Sequence, residues 1–302
     1  MKRYLLKLYY KVSVIKKIKD NVIILFNRMI FLVFPPPSVK STDESLNIII
    51  NNNCSVSRFG DGEFIIMEGG GLRFQPYSMD LSIRLKEIIR SKQQNHEVFI
   101  PNIFEDINWC TDKSKKYWTW YLNRNRYKIY KMLEKNKIYY DSLVTRLYID
   151  HKDKSKTHER FELFKKLWDK KEIVIVEGEQ SRLGIGNNLF DNAKSIKRIL
   201  CPAKNAFSKY DLILEEVKKQ DKSKIILISL GPTATVLAYD LAVNGRRAID
   251  IGHIDIEYEW FLNKAIDKAP VKNKFVGEVQ NGTNVYAIND SRYESEIITR
   301  IS

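Results

Sequence analysis

Cysteine is scarce in this chain. Cys54, Cys110 and Cys201 are all it has in 302 residues. They are scattered, odd in number and without metal-ligand spacing, so the sequence predicts neither a disulfide framework nor a thiolate metal centre, and it suits a reducing compartment. No G-x-x-x-x-G-K-[ST] loop is present, which argues against a P-loop NTPase, and "RLGIGNN" (Arg182 to Asn188) is only a fragment of a dinucleotide fingerprint. Long hydrophobic runs are missing as well. "VIILFNRMIFLVF" (Val22 to Phe34) is broken by Asn27 and Arg28 and is too short to span a bilayer, and no small-residue cleavage site follows it. Internal repeats, low-complexity segments, helix-turn-helix, RNP-type and zinc-finger patterns are also lacking.

What is present is basic charge, unevenly spread. The formal net charge is +14, yet residues 1–40 hold nine Lys/Arg against Asp20 alone, so +8 sits in the first forty positions. The charge belongs to an N-terminal arm more than to the body. In that arm Lys and Arg alternate with Tyr4, Leu5, Leu8, Tyr9, Val14 and Ile15. Such a segment suits either an anionic membrane face, contacted through residues 1–34, or packing on the body or a second subunit. Residues 113–140 carry another nine Lys/Arg among Tyr and Trp. An amphipathic helix with a solvated basic face accounts for these, and no nucleic-acid partner is expected.

Composition, 44% hydrophobic and 29% charged, reads as a globular chain with a sizeable core. "PPP" (Pro35 to Pro37) marks a linker, and "STDE" (Ser41 to Glu44) reads as a capping box opening a helix. Strands are expected over 54–59 and 97–101, and helices over 79–91 and 112–135. From 171 onward, β-branched runs at 172–179, 195–203, 224–234 and 247–253 alternate with helical segments such as 210–220 and 234–245. This alternation predicts an α/β fold, a Rossmann-like and mostly parallel sheet with helices on both faces. The expected boundaries are an arm and Pro linker over 1–40, one domain over 41–285 and a tail over 286–302.

Ligands of open parallel sheets bind beyond the carboxyl ends of the strands. All four expected ends carry glycine with acids, amides or hydroxyls: "SRFGDGE" from Ser57, Glu177 to Glu179, "GPTAT" from Gly231 and "DIGHIDIEYEW" from Asp250. Asp61 and Glu63, separated only by Gly62, would point to the same side of an extended turn and could share a Mg²⁺ or Mn²⁺ with phosphate oxygens. Gly60 and Gly62 would let a phosphate approach the backbone, and Arg58 would clamp it. Thr233 reads as the N-cap of the helix after "LGP", whose amides would face an anion. His253, Asp255, Glu257 and Glu259 crowd one segment, either as a base with its orienting partners or as the start of a helix beside a core histidine.

Taken together, "SRFGDGE" (Ser57 to Glu63), "IVIVEGE" (Ile173 to Glu179), "LGIGNNLFDNAKSIKRILCP" (Leu183 to Pro202), "LGPTATVLAYDLA" (Leu230 to Ala242) and "AIDIGHIDIEYEWF" (Ala248 to Phe261) resemble the GT-D type of bacterial glycosyltransferases. The resemblance covers roughly Ser41 to Val279. It differs at Asn187-Asn188, where Asn-Asp is expected. It implies a Rossmann-like fold, a nucleotide-diphosphate sugar donor, most often a UDP-sugar, and a divalent metal, Mn²⁺ or Mg²⁺, on Asp61 and Glu63. The product would be a surface-glycan or glycoprotein-glycan chain, built on a lipid-linked or protein-linked acceptor. Donor contacts are expected from Arg58, Gly60, Gly62, Arg146, Glu177, Glu179, Gly231 and Thr233. An inverting reaction would take its base from Asp255 or His253, with Glu257 beside them; a retaining one would need none. The expected location is cytoplasmic, peripheral on the inner membrane face. The rival readings are a non-catalytic basic module that binds nucleic acid or membrane, and another metal-dependent phosphate enzyme such as a phosphoesterase.

Overall fold

The computed structural model describes residues 2–287 and 289–302, with side chains from Val14 onward. The side chains of the arm before Val14, including Tyr4, Leu5, Leu8 and Tyr9, lie outside the described residues. Helix α1 (Lys2–Val33) is followed by α2 (Thr42–Asn51), β1 (Ser55–Arg58), α3 (Asp61–Met67), α4 (Met79–Ile88) and β2 (His96–Ile100). Then come α5 (Asp112–Met132), β3 (Tyr140–Asp141), α6 (Thr157–Lys165), β4 (Glu172–Gly178), β5 (Ser195–Cys201), α7 (Tyr210–Lys218) and β6 (Ile225–Ser229). The chain closes with α8 (Pro232–Val243), β7 (Ala248–Asp250), α9 (Ile254–Leu262), α10 (Ser291–Glu296) and β8 (Ile297–Arg300).

The strands form one sheet in the order β3-β2-β1-β7-β6-β4-β5-β8, and every pairing is parallel. The period-2 alternation of strand side chains divides the core. In β4, Ile173 and Ile175 pack with Leu46 and Ile49 of α2, Phe161 of α6 and Tyr258 of α9. Val174 and Val176 face the other way, onto Ile213 and Val217 of α7 and Leu237 and Leu241 of α8. On that second face, Phe64, Leu85 and Leu122 of α3, α4 and α5 cover Val98 and Ile100. The expected α/β architecture with helices on both faces is therefore present, and the sheet is wholly parallel.

Two local expectations change. The tail is not outside the domain: α10 turns into β8, which pairs with β5 and completes the sheet edge. "GDGEFIIM" is a helix from Asp61 and not an extended turn. Glu63, at the third helical position, accepts the Gly60 N–H at 2.6 Å as the N3 residue of a cap. Phe64, Ile66 and Met67 are buried at 0–2% exposure, and this burial outweighs the poor helix propensity of Gly62. The capping box at Ser41 and Glu44 forms as its sequence predicts.

The site is set by how the chain leaves β1 and β7, which lie side by side at the sheet centre. After β1 it enters α3 on one face; after β7 it enters α9 on the opposite face, where Ile254 and Tyr258 are buried. The two strand ends thus open a crevice between divergent helices, the usual ligand position in doubly wound sheets.

Candidate active site

Arg58 ends β1 and reaches across the crevice. Its Nε donates to the Asp250 carbonyl at 3.0 Å and lies 3.4 Å from Asp250 Oδ1, and its Nη1 donates to the Ser142 carbonyl at 2.7 Å and to Thr145 Oγ1. One guanidinium therefore ties β1 to β7 and to the 3-10 turn Ser142–Thr145 after β3. Gly252 makes this possible. Its φ is +44°, and a Cβ there would sit 1.8 Å from Arg58 Nη2. Most of the fork is committed to protein, and Nη2 packs against Gly252.

Asp61 and Glu63 stand at the crevice mouth on the first turn of α3. Two residues apart on a helix, they diverge and do not share one side. The Tyr117 hydroxyl of α5 donates to Asp61 Oδ2. Burial and Asp61 push that phenol well above its ordinary range. Burial also raises Glu63 to about 7; the Gly60 N–H opposes this, and the negative charges of Asp250 and Asp61 add to it. The charges of Asp61 and Asp250 are thus felt at Glu63, while Asp250 itself is paired with Arg58 at 3.4 Å. Among the described residues no three His, Cys, Asp or Glu side chains form a ready cage. Oδ1 of Asp61 and Oε1 of Glu63 are left to other ligands by these bonds, which fits a hard divalent ion that takes one or two carboxylates and completes its shell with phosphate and water.

Arg146, just after the 3-10 turn, anchors a second cluster. It donates to both carboxylate oxygens of Glu278 and lies 3.2 Å from His253 Nδ1. His253, half exposed at the N-cap of α9, also lies 3.2 Å from Glu278 Oε1. Burial would raise the Glu278 pKa, but Arg146 and His253 hold it far below the carboxylate range. Lys268 Nζ meets the other Glu278 oxygen at 2.6 Å. The charges of Arg146 and Glu278 reach Tyr117, so the two clusters are electrostatic neighbours.

Other expected site residues are built into the frame. Asp255 is 2% exposed. It accepts from the Gly184 N–H at 2.9 Å, from Asn187 Nδ2 at 2.8 Å and from Lys274 Nζ at 2.7 Å. Asn187 and Lys274 also bind Glu259, so the Asn187 position serves this network. Glu177 pairs with buried Arg198 at 2.6 Å, and Arg198 continues to Glu296 at 2.7 Å, locking β4, β5 and α10 together. Glu179 is exposed beyond β4. Gly231, not Thr233, is the N-cap of α8; Thr233 is fully buried near Gln75, and the Phe74 ring packs where a Gly231 Cβ would go. The loop carrying Phe74 and Gln75 packs beside the α8 N-terminus, where Thr233 is buried and Gly231 stays exposed. Glu257 is buried, and its Oε2 accepts the Tyr148 and Ile149 N–H groups at 3.0 Å each. Its Oε1 has no partner, 3.9 Å from Arg146 Nη1. Burial raises it to about 7, against the pull of Arg146.

Three further residues belong to this crevice and were not singled out by sequence: Asp250, Tyr117 and Glu278. Asp250, inside the strand expected over 247–253 and the last residue of β7, had a positional signal. Tyr117 and Glu278 had none, lying 56 residues from Asp61 and 132 from Arg146.

Residues 56–279 match the family described as "Glycosyltransferase GT-D fold". The chain belongs to the GT-D glycosyltransferase family. This GT-D chain is 38% identical over 267 residues to "Probable glycosyl transferase Gly" of Streptococcus gordonii, across 88% of its own length and 39% of that protein's. It is also 38% identical over 264 residues to "Glycosyltransferase GlyD" of Streptococcus pneumoniae serotype 4, across 87% of its length and 32% of the other's. The chain thus spans 32–39% of the length of these curated relatives. Among solved structures, a glycosyltransferase (DUF1792) from Streptococcus sanguinis aligns with a TM-score of 0.83 at 38% identity, covering 88% of this chain and 100% of that one. Another, described as the highly conserved domain of unknown function 1792 with a distinct glycosyltransferase fold, aligns with a TM-score of 0.85 at 38% identity, covering 88% and 96%.

Proposed function

We propose that this GT-D domain transfers a sugar from a nucleotide-diphosphate donor, a UDP-sugar in the simplest case, to a hydroxyl of a growing surface or glycoprotein glycan. The observation that carries the reading is the meeting, at the adjacent ends of β1 and β7, of Asp61 and Glu63 on the first turn of α3 with Arg58, which Asp250 holds across the crevice. Carboxylates alone would repel a diphosphate, whereas carboxylates that hold a Mn²⁺ or Mg²⁺ would attract one. Asp61 would hold the ion, with Glu63, which leaves the helix on another side, ordering a water of its shell, and the ion would supply charge neutralisation for the leaving diphosphate. Arg58 adds positive charge at the same strand ends. Tyr117 fixes the Asp61 carboxylate through its hydroxyl.

His253 is the group best placed to take the acceptor proton in an inverting transfer. It is half exposed, and Glu278 can accept from Nδ1 and leave Nε2 free as the base. Asp255 is a poor candidate for that task, because its carboxylate already holds Lys274, Asn187 and the Gly184 amide. Turnover of a nucleotide-sugar panel, with and without a glycan acceptor, tests the proposal. Acceptor-dependent transfer that is lost in Asp61→Ala supports it. Full activity of that variant, or donor hydrolysis indifferent to every acceptor, refutes it.

A further inference from the structure

Helix α1 carries a surface that the fold leaves uncovered. On one side it docks onto α5. Asn27 and Ile30 are buried, Asn27 Oδ1 accepts the Tyr127 N–H at 2.8 Å, and Arg126 lies 4.5 Å from the Phe31 ring centroid. On the opposite side Ile15, Ile18, Val22, Leu25, Met29 and Leu32 recur at alternating spacings of three and four, and each is 53–81% exposed. At 1.5 Å per residue the stripe is about 25 Å long. Contiguous exposed apolar surface of this extent marks an interaction site in a soluble chain.

The rim of the stripe is cationic. Helical geometry sets Lys17 and Arg28 along one edge and Lys19 along the other, and all three are exposed. The outer face of α5 continues the same chemistry, with exposed Lys116, Trp120, Tyr127 and Lys131 and with Arg124 stacked 4.8 Å over Trp120. The two faces meet where the Phe26 and Tyr127 rings touch edge-on at 5.1 Å. A second copy of this chain is a poor partner, since two arms of +8 would bring like-charged flanks together. Among the described residues no helix is long and apolar enough to cross a membrane.

We propose that α1 and the outer face of α5 dock onto an anionic lipid bilayer, with α1 in the interfacial plane, its apolar stripe inserted and its cations against the headgroups. Tyr117, which holds Asp61, stands on α5 close to Trp120 (ring centroids 6.2 Å apart). Docking would therefore carry the crevice mouth towards the bilayer surface. The inference stands on α1 and α5 alone and does not rest on the sugar-transfer reading.

The test is co-sedimentation of the full chain with phosphatidylcholine vesicles, with and without phosphatidylglycerol. Pelleting is expected only with the anionic lipid and is expected to weaken with salt. Neutralising Lys17, Lys19 and Arg28 to Gln should weaken it about 100-fold, near fivefold per charge. Ile18→Ser with Leu25→Ser should abolish it while the melting curve stays unchanged. Failure to pellet with anionic vesicles overturns the proposal, as does equal pelleting with neutral ones. A dimer in light scattering that Leu25→Ser dissolves, without vesicle binding, would assign the stripe to a second copy instead.

Discussion

Replacing Asp255 by Asn tests whether the acidic segment of α9 is scaffold or catalyst. Lys274 is 3% exposed and sits 2.7 Å from Asp255 and 2.8 Å from Glu259. Removing one partner of a buried, hydrogen-bonded ion pair costs about 3–5 kcal/mol, because the other charge stays behind unbalanced. Glu259 retains part of the compensation here, so about 3 kcal/mol is the better expectation. At roughly 2.1 cal/mol/K per residue, the unfolding entropy of 302 residues is about 0.6 kcal/mol/K, so the melting temperature should fall by about 5 °C. Lys274→Met should cost at least as much, since it leaves two carboxylates unpaired. The double variant should cost less than the two single losses added together. Thermal melting and urea titration measure the loss, and donor turnover at a temperature where each variant is folded measures function. Turnover should stay within a fewfold of the unmodified chain. An Asp255→Asn protein that melts normally but loses about 10²–10⁴ in kcat would make Asp255 the base and not a scaffold residue.

Gly252→Ala forces a Cβ into Arg58 at a backbone φ of +44°. It should cost about 1–2 kcal/mol in strain alone, with more from displaced Arg58 hydrogen bonds, and donor affinity should fall with the melting temperature. Glu257 links stability to pH. Its folded pKa of about 7 exceeds the ordinary 4.5, so the unfolded chain releases this proton first. Its contribution is then full below pH 4.5 and is lost as pH rises towards 7, at up to about 1.4 kcal/mol per pH unit. Urea titrations across that window should show the slope, and Glu257→Gln should flatten it. Glu278→Gln should lower kcat and shift the acidic limb of the pH–rate profile if Glu278 orients His253; an unchanged profile would remove that role.

Much of the frame is legible in sequence because its causes are local. β4 and β6 are continuous β-branched runs buried on both faces, and Ser41 with Glu44 forms a cap from four consecutive residues. The α3 segment misleads for a physical reason: two glycines around an aspartate read as a turn, while the helix is held by burial of Phe64, Ile66 and Met67 against distant elements. The tail misleads in the same way, since Arg198 recruits Glu296 into the sheet edge from far along the chain. Candidate site residues follow this division. Asp61, Glu63, Arg58 and His253 stand at strand ends, where position alone points to them. Glu177 and Asp255 share that position, yet their buried partners Arg198 and Lys274 consume them, and no pattern in one sequence announces such pairings.

The role proposed for Asp61, with Glu63 behind it, is to hold a divalent ion that receives a nucleotide diphosphate. Titration calorimetry of UDP into the chain, with and without Mn²⁺, measures this. Binding should need the metal and be lost in Asp61→Ala, whose melting temperature should stay close to that of the unmodified chain. Equal UDP affinity without metal, or unaltered metal-dependent binding by Asp61→Ala, would contradict it.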